Sequence, residues 1–387
     1  MFLDTLKRRN EKLINTAFQF HQKGYVMPDS YIIDVDTFSD NAKKILKEAE
    51  KHNIKLYYMT KQIGRNPYLA KKLEEIGYSG AVVVDFKEAE LFINHNLKIG
   101  NVGHLVQIPK NMIEKVVKSS PEIITVYSYD KAKEISEVAL KSGKIQDIML
   151  KVTDSNSKIY PGQEAGFESK DIEKKIEKIM NLKGANINGL TSFPCFLYDK
   201  ETLSIKPTEN AKTIMEVKKI FNEKFGKEIA QINMPSVTSI ENIKLISQLG
   251  GTHGEPGHSL TGTIPIAGDK DIEEIPAYVY VSEISHNFRE KGYFYGGGHY
   301  RRSNIRKALV GTDCNACYET KVNKMEPENI DYYMEMKKEG NIGDTVLSCF
   351  RAQMFVTRST VVLVEGIQKG KPEIVGKYTS LGEQIKD

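Results

Sequence analysis

The chain has 387 residues, 40% hydrophobic and 27% charged, which suits one large domain plus a smaller one. Lys and Arg (55) nearly balance Asp and Glu (51) for a net charge of +4, too even to argue for a nucleic-acid footprint. No stretch approaches ~18 consecutive apolar residues, the N-terminus has no apolar signal core, and four cysteines do not frame a disulfide scaffold, so a reducing cytoplasm is expected.

In chain order, residues 1–28 open with an amphipathic helix: Leu3, Leu6, Leu13, Ile14, Ala17 and Phe18 recur at helical spacing. Its apolar face is expected to pack on its own protein, since no Trp or strong basic face points to a membrane. "YIIDVD" (31–36) reads as a strand and "NAKKILKEAEKH" as a helix with Ala42, Ile45, Leu46 and Ala49 on one face. "KLYYMT" (55–60) is the next strand. A helix then starts at Asn66-Pro67, where Asn caps and Pro fits the first turn, and stops at Gly77.

Seven more strand-like runs follow: "GAVVVD" (80–85), "VGHLVQIP" (102–109), "IITVYS" (123–128), "DIMLKV" (147–152), "INGLTSF" (187–193), "IAQINMP" (229–235) and "GTHGEP" (251–256). Helical stretches such as "DKAKEISEVALKSG" and "NIKLISQLG" separate them. Alternating strands and helices imply a parallel sheet. Eight such units over about 200–250 residues predict a closed (β/α)8 barrel. A doubly wound sheet would carry a Gly-rich fingerprint after its first strand, and "MTKQIGRNP" has one glycine. After about residue 266 the rhythm changes to strands joined by turns, a separate all-β domain. The predicted organisation is therefore an N-terminal helix (1–28), an α/β barrel (29–265) and a C-terminal β domain (266–387).

Barrel active sites collect at the carboxyl ends of the strands, and phosphate binds at the loops after strands seven and eight. The first strand ends in Lys61, with Arg65 four residues on. The seventh ends in "PSVTS", Ser236 to Ser239, and the eighth in "GEPGHSLTGT" (254–263), rich in Gly, Ser and Thr. Such loops offer a phosphate unencumbered backbone N–H groups and hydroxyls. A lysine across the barrel mouth can form a Schiff base with an aldehyde, and Glu255 can face a protonated ring nitrogen. Together these describe pyridoxal 5'-phosphate. A surface lysine, a structural turn and a sugar-phosphate enzyme of the same architecture remain the competing readings at this point.

Lys61, "NMPSVTS" and "EPGHSLTGT" resemble the fold-type III pyridoxal-phosphate enzymes, which include alanine racemase, the ornithine and diaminopimelate decarboxylases and D-threonine aldolase. From end to end the chain is similar to the alanine racemase-like proteins of the YhfX type, through "GHLVQIP", "YPGQEAGF", "EPGHSLTGTIP", "YGGGHYRR" and "FVTRSTVVLVEG". The resemblance implies a barrel followed by a β domain, with "YIIDVD" joining the C-terminal sheet, and a homodimer with active sites at its interface. It makes Lys61 the Schiff-base lysine and one base, and Arg65 a phosphate contact. Ser236, Gly257 and His258 match phosphate-binding positions, with Ser259 and Thr261 beside them. Tyr295, before the glycines of "GYFYGGGHYRR", matches the opposite-face acid–base supplied by the partner, with His299 and Tyr300 in reserve.

Two positions depart from that pattern. Glu255 stands where alanine racemase has an arginine; a carboxylate keeps the ring nitrogen protonated, as in the decarboxylases. Ser192 stands where relatives often carry a histidine. Cys314 and Cys317 supply two of the four ligands a structural zinc needs, so no metal is expected there, and a catalytic cysteine is the lesser alternative. His104 and Gln107 are placed toward the cofactor, whereas His21, His52, His95 and His286 read as structural. The expected activity is amino-acid racemisation at Cα; decarboxylation and non-catalytic cofactor binding are the alternatives.

Overall fold

Side-chain oxygens start the helices that follow the strands. Asp85 accepts the N–H of Glu88, Ser128 that of Lys131, Thr208 that of Asn210, and the Asn242 side chain accepts the N–H of Ser239. Asn66 likewise accepts from the N–H of Leu69 at 3.1 Å, where the helix Pro67–Ile76 begins as its Asn-Pro pair predicts. Each of these caps satisfies a donor that a helix terminus leaves bare, so these turns are locally specified.

The computed structural model describes residues 2–386. Its chain divides into two compact units, one of them Ile45–Thr60 with Ala70–Gly257. In that unit eight parallel strands close on themselves. In order around the barrel they are Lys55–Leu56, Ala81–Val83, Ile99–Val102, Ile123–Val126, Gln146–Thr153, Ala185–Thr191, Gln231–Asn233 and His253–Gly254. The eighth pairs with the first through His253 and Lys55, and a parallel bridge from Tyr58 to Ala81 joins the first to the second. The strands are buried almost throughout, which is what an all-parallel sheet covered by helices requires. The third strand differs from expectation: it is Ile99–Val102 and not 102–109, because the chain leaves the sheet at Gly103 (φ +91°).

The other unit takes the chain up to Lys44, then Lys61–Leu69, then everything from His258 onward. The predicted N-terminal helix is two, Leu3–Arg9 and Glu11–Gln22. Asn10 leaves helical geometry between them and its side chain caps the second. A nine-stranded sheet forms the body of this unit. Along its main path run Cys317–Lys321, Lys307–Gly311, Thr345–Ser348, Tyr278–Phe288, Ser30–Asp34, Thr360–Glu365 and Glu373–Tyr378. Lys291–Tyr295 pairs with Tyr278–Phe288 and carries Tyr333–Met336 on its other edge. The early strand Ser30–Asp34 sits centrally, antiparallel to Tyr278–Phe288 and parallel to Thr360–Glu365, as the resemblance implied.

Three consecutive glycines end the Lys291–Tyr295 hairpin. A Cβ on Gly297, at φ +124°, would strike the carboxylate of Asp29, and one on Gly298 would enter the Tyr280 ring. Asp29 itself adopts a left-handed conformation (φ 58°) and accepts from Ser359 Oγ (2.5 Å) and the Tyr280 hydroxyl (2.9 Å). The glycines therefore allow backbone and carboxylate to meet at a distance no side chain permits.

Candidate active site

At the carboxyl end of the first barrel strand, Thr60 donates its hydroxyl to Glu88, a fully buried carboxylate that also accepts the N–H of Val84. This fixes the strand end from within the barrel. The next residue in the chain is Lys61, which opens a short 3-10 turn (Lys61–Ile63). Gly64 and Arg65 then take left-handed backbone (φ 66° and 53°), which returns the chain for the helix at Pro67. Gly64 is needed on two counts, its angle and the Val361 side chain 2.9 Å from where a Cβ would stand. Arg65 is buried, with its guanidinium 5.0 Å over the Phe355 ring.

The eighth strand delivers Glu255, 8% exposed. Its Oε1 accepts from the Asn233 amide at 2.6 Å, and its backbone N–H donates to Thr238 Oγ1 at 2.9 Å. Asn233 comes from the seventh strand and Thr238 from the loop after it, so neighbouring strand ends hold the carboxylate in place. Ser236 and Val237 in that loop have positive φ (95° and 56°), and the Ser236 hydroxyl donates to the Phe196 carbonyl at 2.8 Å. Among the described residues, Asn233 Oδ1 and the Thr191 hydroxyl are buried without a hydrogen-bond partner.

Beyond Glu255, Gly257 is buried. His258, Ser259 and Thr261 belong to the second unit. Ser259 is fully buried and its carbonyl accepts the Gly262 N–H; Thr261 donates to the His258 carbonyl at 3.0 Å and shares a hydrogen bond with Thr263. The His258 ring accepts from Arg351 Nε at 3.3 Å. Burial, and then the charges of Arg351, Lys61 and Arg302, hold this imidazole neutral, well below its ordinary range. A cationic cluster thus gathers within one unit around a histidine that cannot share its charge.

Tyr295 ends its strand 37% exposed, its ring 5.7 Å from that of Tyr333. Tyr300 and His299 are half-buried. Burial raises the Tyr300 phenol against the opposing pull of Arg351 and Arg302, and lowers His299. Cys314 and Cys317 are free thiols at a hairpin, with Cys314 pushed by burial up to about 11, which keeps it from being a ready nucleophile. His104 is buried beside Phe193, and Gln107 donates to the carbonyls of Gly103 and Thr125, so the amide of Gln107 serves the loop.

Sequence reading passed over three residues. Lys151, on the fifth strand, is 6% exposed, donates to the Gln163 carbonyl at 3.2 Å, and lies 4.8 Å from the Tyr127 ring. Burial lowers its pKa. A lysine inside the apolar run "DIMLKV" was the available signal. Asn233 and Arg351 gave none, because each acquires its meaning from a residue distant in the chain.

Two family models match the chain: the N-terminal domain of alanine racemase over residues 33–265, and the C-terminal domain of YhfX-like proteins over residues 279–374. The uncharacterized protein YhfX of Escherichia coli strain K12 is 45% identical over 386 residues, covering 100% of both chains. Among solved structures, D-threonine aldolase from Filomicrobium marinum aligns with a TM-score of 0.68 at 13% identity, over 92% of this chain and 95% of its own. Alanine racemase from Clostridium difficile 630 in complex with cycloserine gives 0.63 at 17%, over 92% and 99%. Diaminopimelate decarboxylase from M. jannaschii with L-lysine gives 0.63 at 13%, over 95% and 93%. At these identities the structural likeness speaks for the fold alone. The chain belongs to the alanine racemase-like family, with a YhfX-type C-terminal domain.

That family implies pyridoxal 5'-phosphate, and the residues present fit it. In the barrel unit a buried and braced carboxylate ends the eighth strand and buried polar atoms of Asn233 and Thr191 lack partners among the described residues; in the other unit Lys61 supplies an amine and His258 Nδ1 is likewise buried without a partner. Orphaned polar groups of this kind are costly unless a ligand satisfies them.

Proposed function

We propose, proceeding from this family membership, that the protein is a pyridoxal-phosphate-dependent amino-acid racemase acting at Cα. The observation that carries the cofactor part of this reading is Glu255, a buried carboxylate pinned by Asn233 and Thr238 at the end of the eighth strand. A fixed carboxylate there has one use that suits the family: to accept a hydrogen bond from a protonated pyridine nitrogen.

When bound, pyridoxal 5'-phosphate supplies an electron sink for the charge left on Cα after a bond there is broken. Lys61 would hold the cofactor's aldehyde through Nζ, and its amine would move the Cα proton on one face. The Tyr295 hydroxyl, presented by a second copy of the chain, serves the other face. Its exposure on the end of its strand supports that role, since a fully packed phenol could not be presented to another chain. Ser236, Gly257, His258, Ser259 and Thr261, with Arg65, hold the phosphate. Glu88, by fixing Thr60, sets where Lys61 begins. The active protein in this reading is a homodimer with active sites at its interface, acting in the cytoplasm on a free amino acid.

Glu255 also favours a second reading, decarboxylation, because the same carboxylate strengthens the sink for either bond. One experiment separates them: incubate the cofactor-loaded protein with pooled L- and D-amino acids in deuterated water. Deuterium at one Cα, with both enantiomers appearing, supports the racemase. Release of CO2 would move the assignment to the decarboxylase, and silence across the full set would leave a binding protein.

A further inference from the structure

The environment of His258 carries a consequence for a residue far away in the sequence. Arg351 lies in the loop after the strand Thr345–Ser348, and its Nε–H points at His258 Nε2. A nitrogen that accepts a hydrogen bond carries no proton, so the proton of the neutral ring sits on Nδ1. That Nδ1 is buried and has no hydrogen-bond acceptor among the described residues. Arg351 is in a similar position. Its Nε is used on the histidine, its backbone N–H on the Ser303 carbonyl, and no carboxylate among the described residues lies within ion-pairing distance of its guanidinium. The terminal nitrogens of an arginine and the N–H of a histidine are donors only. The pair therefore presents donors and positive charge that no protein carboxylate among the described residues receives.

We propose that Arg351, braced by His258, is the charged receptor for the phosphate monoester of the cofactor, with His258 contributing a neutral Nδ1–H donor. The proposal rests on the cofactor assignment above and deepens it. A carboxylate would satisfy the same donors, but position favours phosphate. His258 opens the loop after the eighth strand, where barrels of this kind bind phosphate, and the hydroxyl residues Ser259 and Thr261 follow it directly. The charge is then divided unusually. The histidine in "EPGH" stays neutral through burial first and the charges of Arg351, Lys61 and Arg302 second, so Arg351 supplies the formal charge that a dianion calls for. Arg351 is a positioning residue for the cofactor and takes no part in the bond changes at Cα.

The test compares pyridoxal 5'-phosphate with pyridoxal, which can occupy Lys61 but lacks the phosphate. Affinities of wild type, Arg351→Gln and Arg351→Lys are measured by visible absorbance, and cofactor on Lys61 is confirmed by borohydride fixation and mass spectrometry. Loss of one charge-assisted contact predicts that Arg351→Gln weakens pyridoxal 5'-phosphate by about tenfold to a hundredfold while pyridoxal changes less than about twofold. Arg351→Lys is expected to recover part of the loss, and it keeps the comparison open where the glutamine variant folds poorly. Equal losses for both compounds would mean a packing role and overturn the proposal, as would no loss for either. Unchanged cofactor affinity with a raised KM for the amino acid would make Arg351 a carboxylate receptor instead. If wild type fixes neither compound on Lys61, the cofactor assignment fails, and calorimetry with inorganic phosphate judges the receptor separately. Binding present in wild type and lost in Arg351→Gln supports an oxyanion receptor, and binding equal or absent in both removes it.

Discussion

The barrel and the antiparallel unit treat buried polarity in opposite ways. Inside the barrel, polar side chains mostly serve one another: Glu255 with Asn233 and Thr238, Glu88 with Thr60, Thr125 with Asn101, and Tyr57 with Gln231. In the antiparallel unit, cations and donors collect around His258, and a carboxylate, Asp29, sits against a glycine turn with its pKa raised by burial. Folding finishes the first arrangement except at Asn233 Oδ1 and the Thr191 hydroxyl, which stay unpartnered among the described residues. The second keeps groups in costly states, which a protein retains where binding or chemistry uses them.

The largest effect expected from testing this contrast is at Lys61. Lys61→Ala should abolish borohydride-fixed cofactor and lower turnover by about a thousandfold or more while leaving the thermal midpoint close to wild type. A variant that unfolds instead would make the lysine a structural element. Tyr295→Phe removes only a hydroxyl from a half-exposed ring. Racemisation should fall by about a hundredfold, yet deuterium exchange should persist from the one enantiomer that Lys61 serves. Loss of exchange from both enantiomers would point away from a two-base arrangement.

Smaller effects sharpen the stability side. Glu88→Gln replaces a buried carboxylate that accepts from Thr60 and Val84, and should cost roughly 1.5–3 kcal/mol in urea unfolding. Asp29 is the subtlest case. Burial, opposed by hydrogen bonds from Ser359 and Tyr280 and by the charge of Arg358, raises its pKa from 3.8 to about 6; the charge of Asp331 adds to the rise. Because the folded state then holds this proton more tightly than the unfolded chain, its contribution is present below about pH 4 and is lost as pH rises through about 6. The loss should be on the order of 2 kcal/mol after allowing for partial exposure. Asp29→Asn should flatten that part of the stability–pH curve, measured by denaturant midpoints between pH 4 and 7. An unchanged slope would show that the carboxylate titrates normally.

Much of the fold was legible because it is written in local periodicity. Eight strand-like runs with helices between them became a closed barrel, and the misplaced third strand was lost at one glycine whose left-handed angle ends the pairing. The positions of Lys61 and "EPGHSLTGT" beyond strand ends were legible because strand counting places them there. Asn233 and Asp29 were not. An asparagine in "QIN" carries no signal until Glu255 is found beside it, and an aspartate before a strand looks like a turn residue until three glycines close on it.

Taken alone, the amino-acid order determined the element types, the barrel and the placement of Lys61 and Glu255 at strand ends, since short-range patterns and strand counting suffice for these. Tertiary structure alone decided which groups hold the carboxylate, that the histidine of "EPGH" is neutral, and that Arg351 stands behind it. Those facts depend on contacts such as Arg351–His258, 93 residues apart, and on burial. Charge state in a protein is set by what surrounds a group in space, and no local pattern in the chain encodes that surrounding.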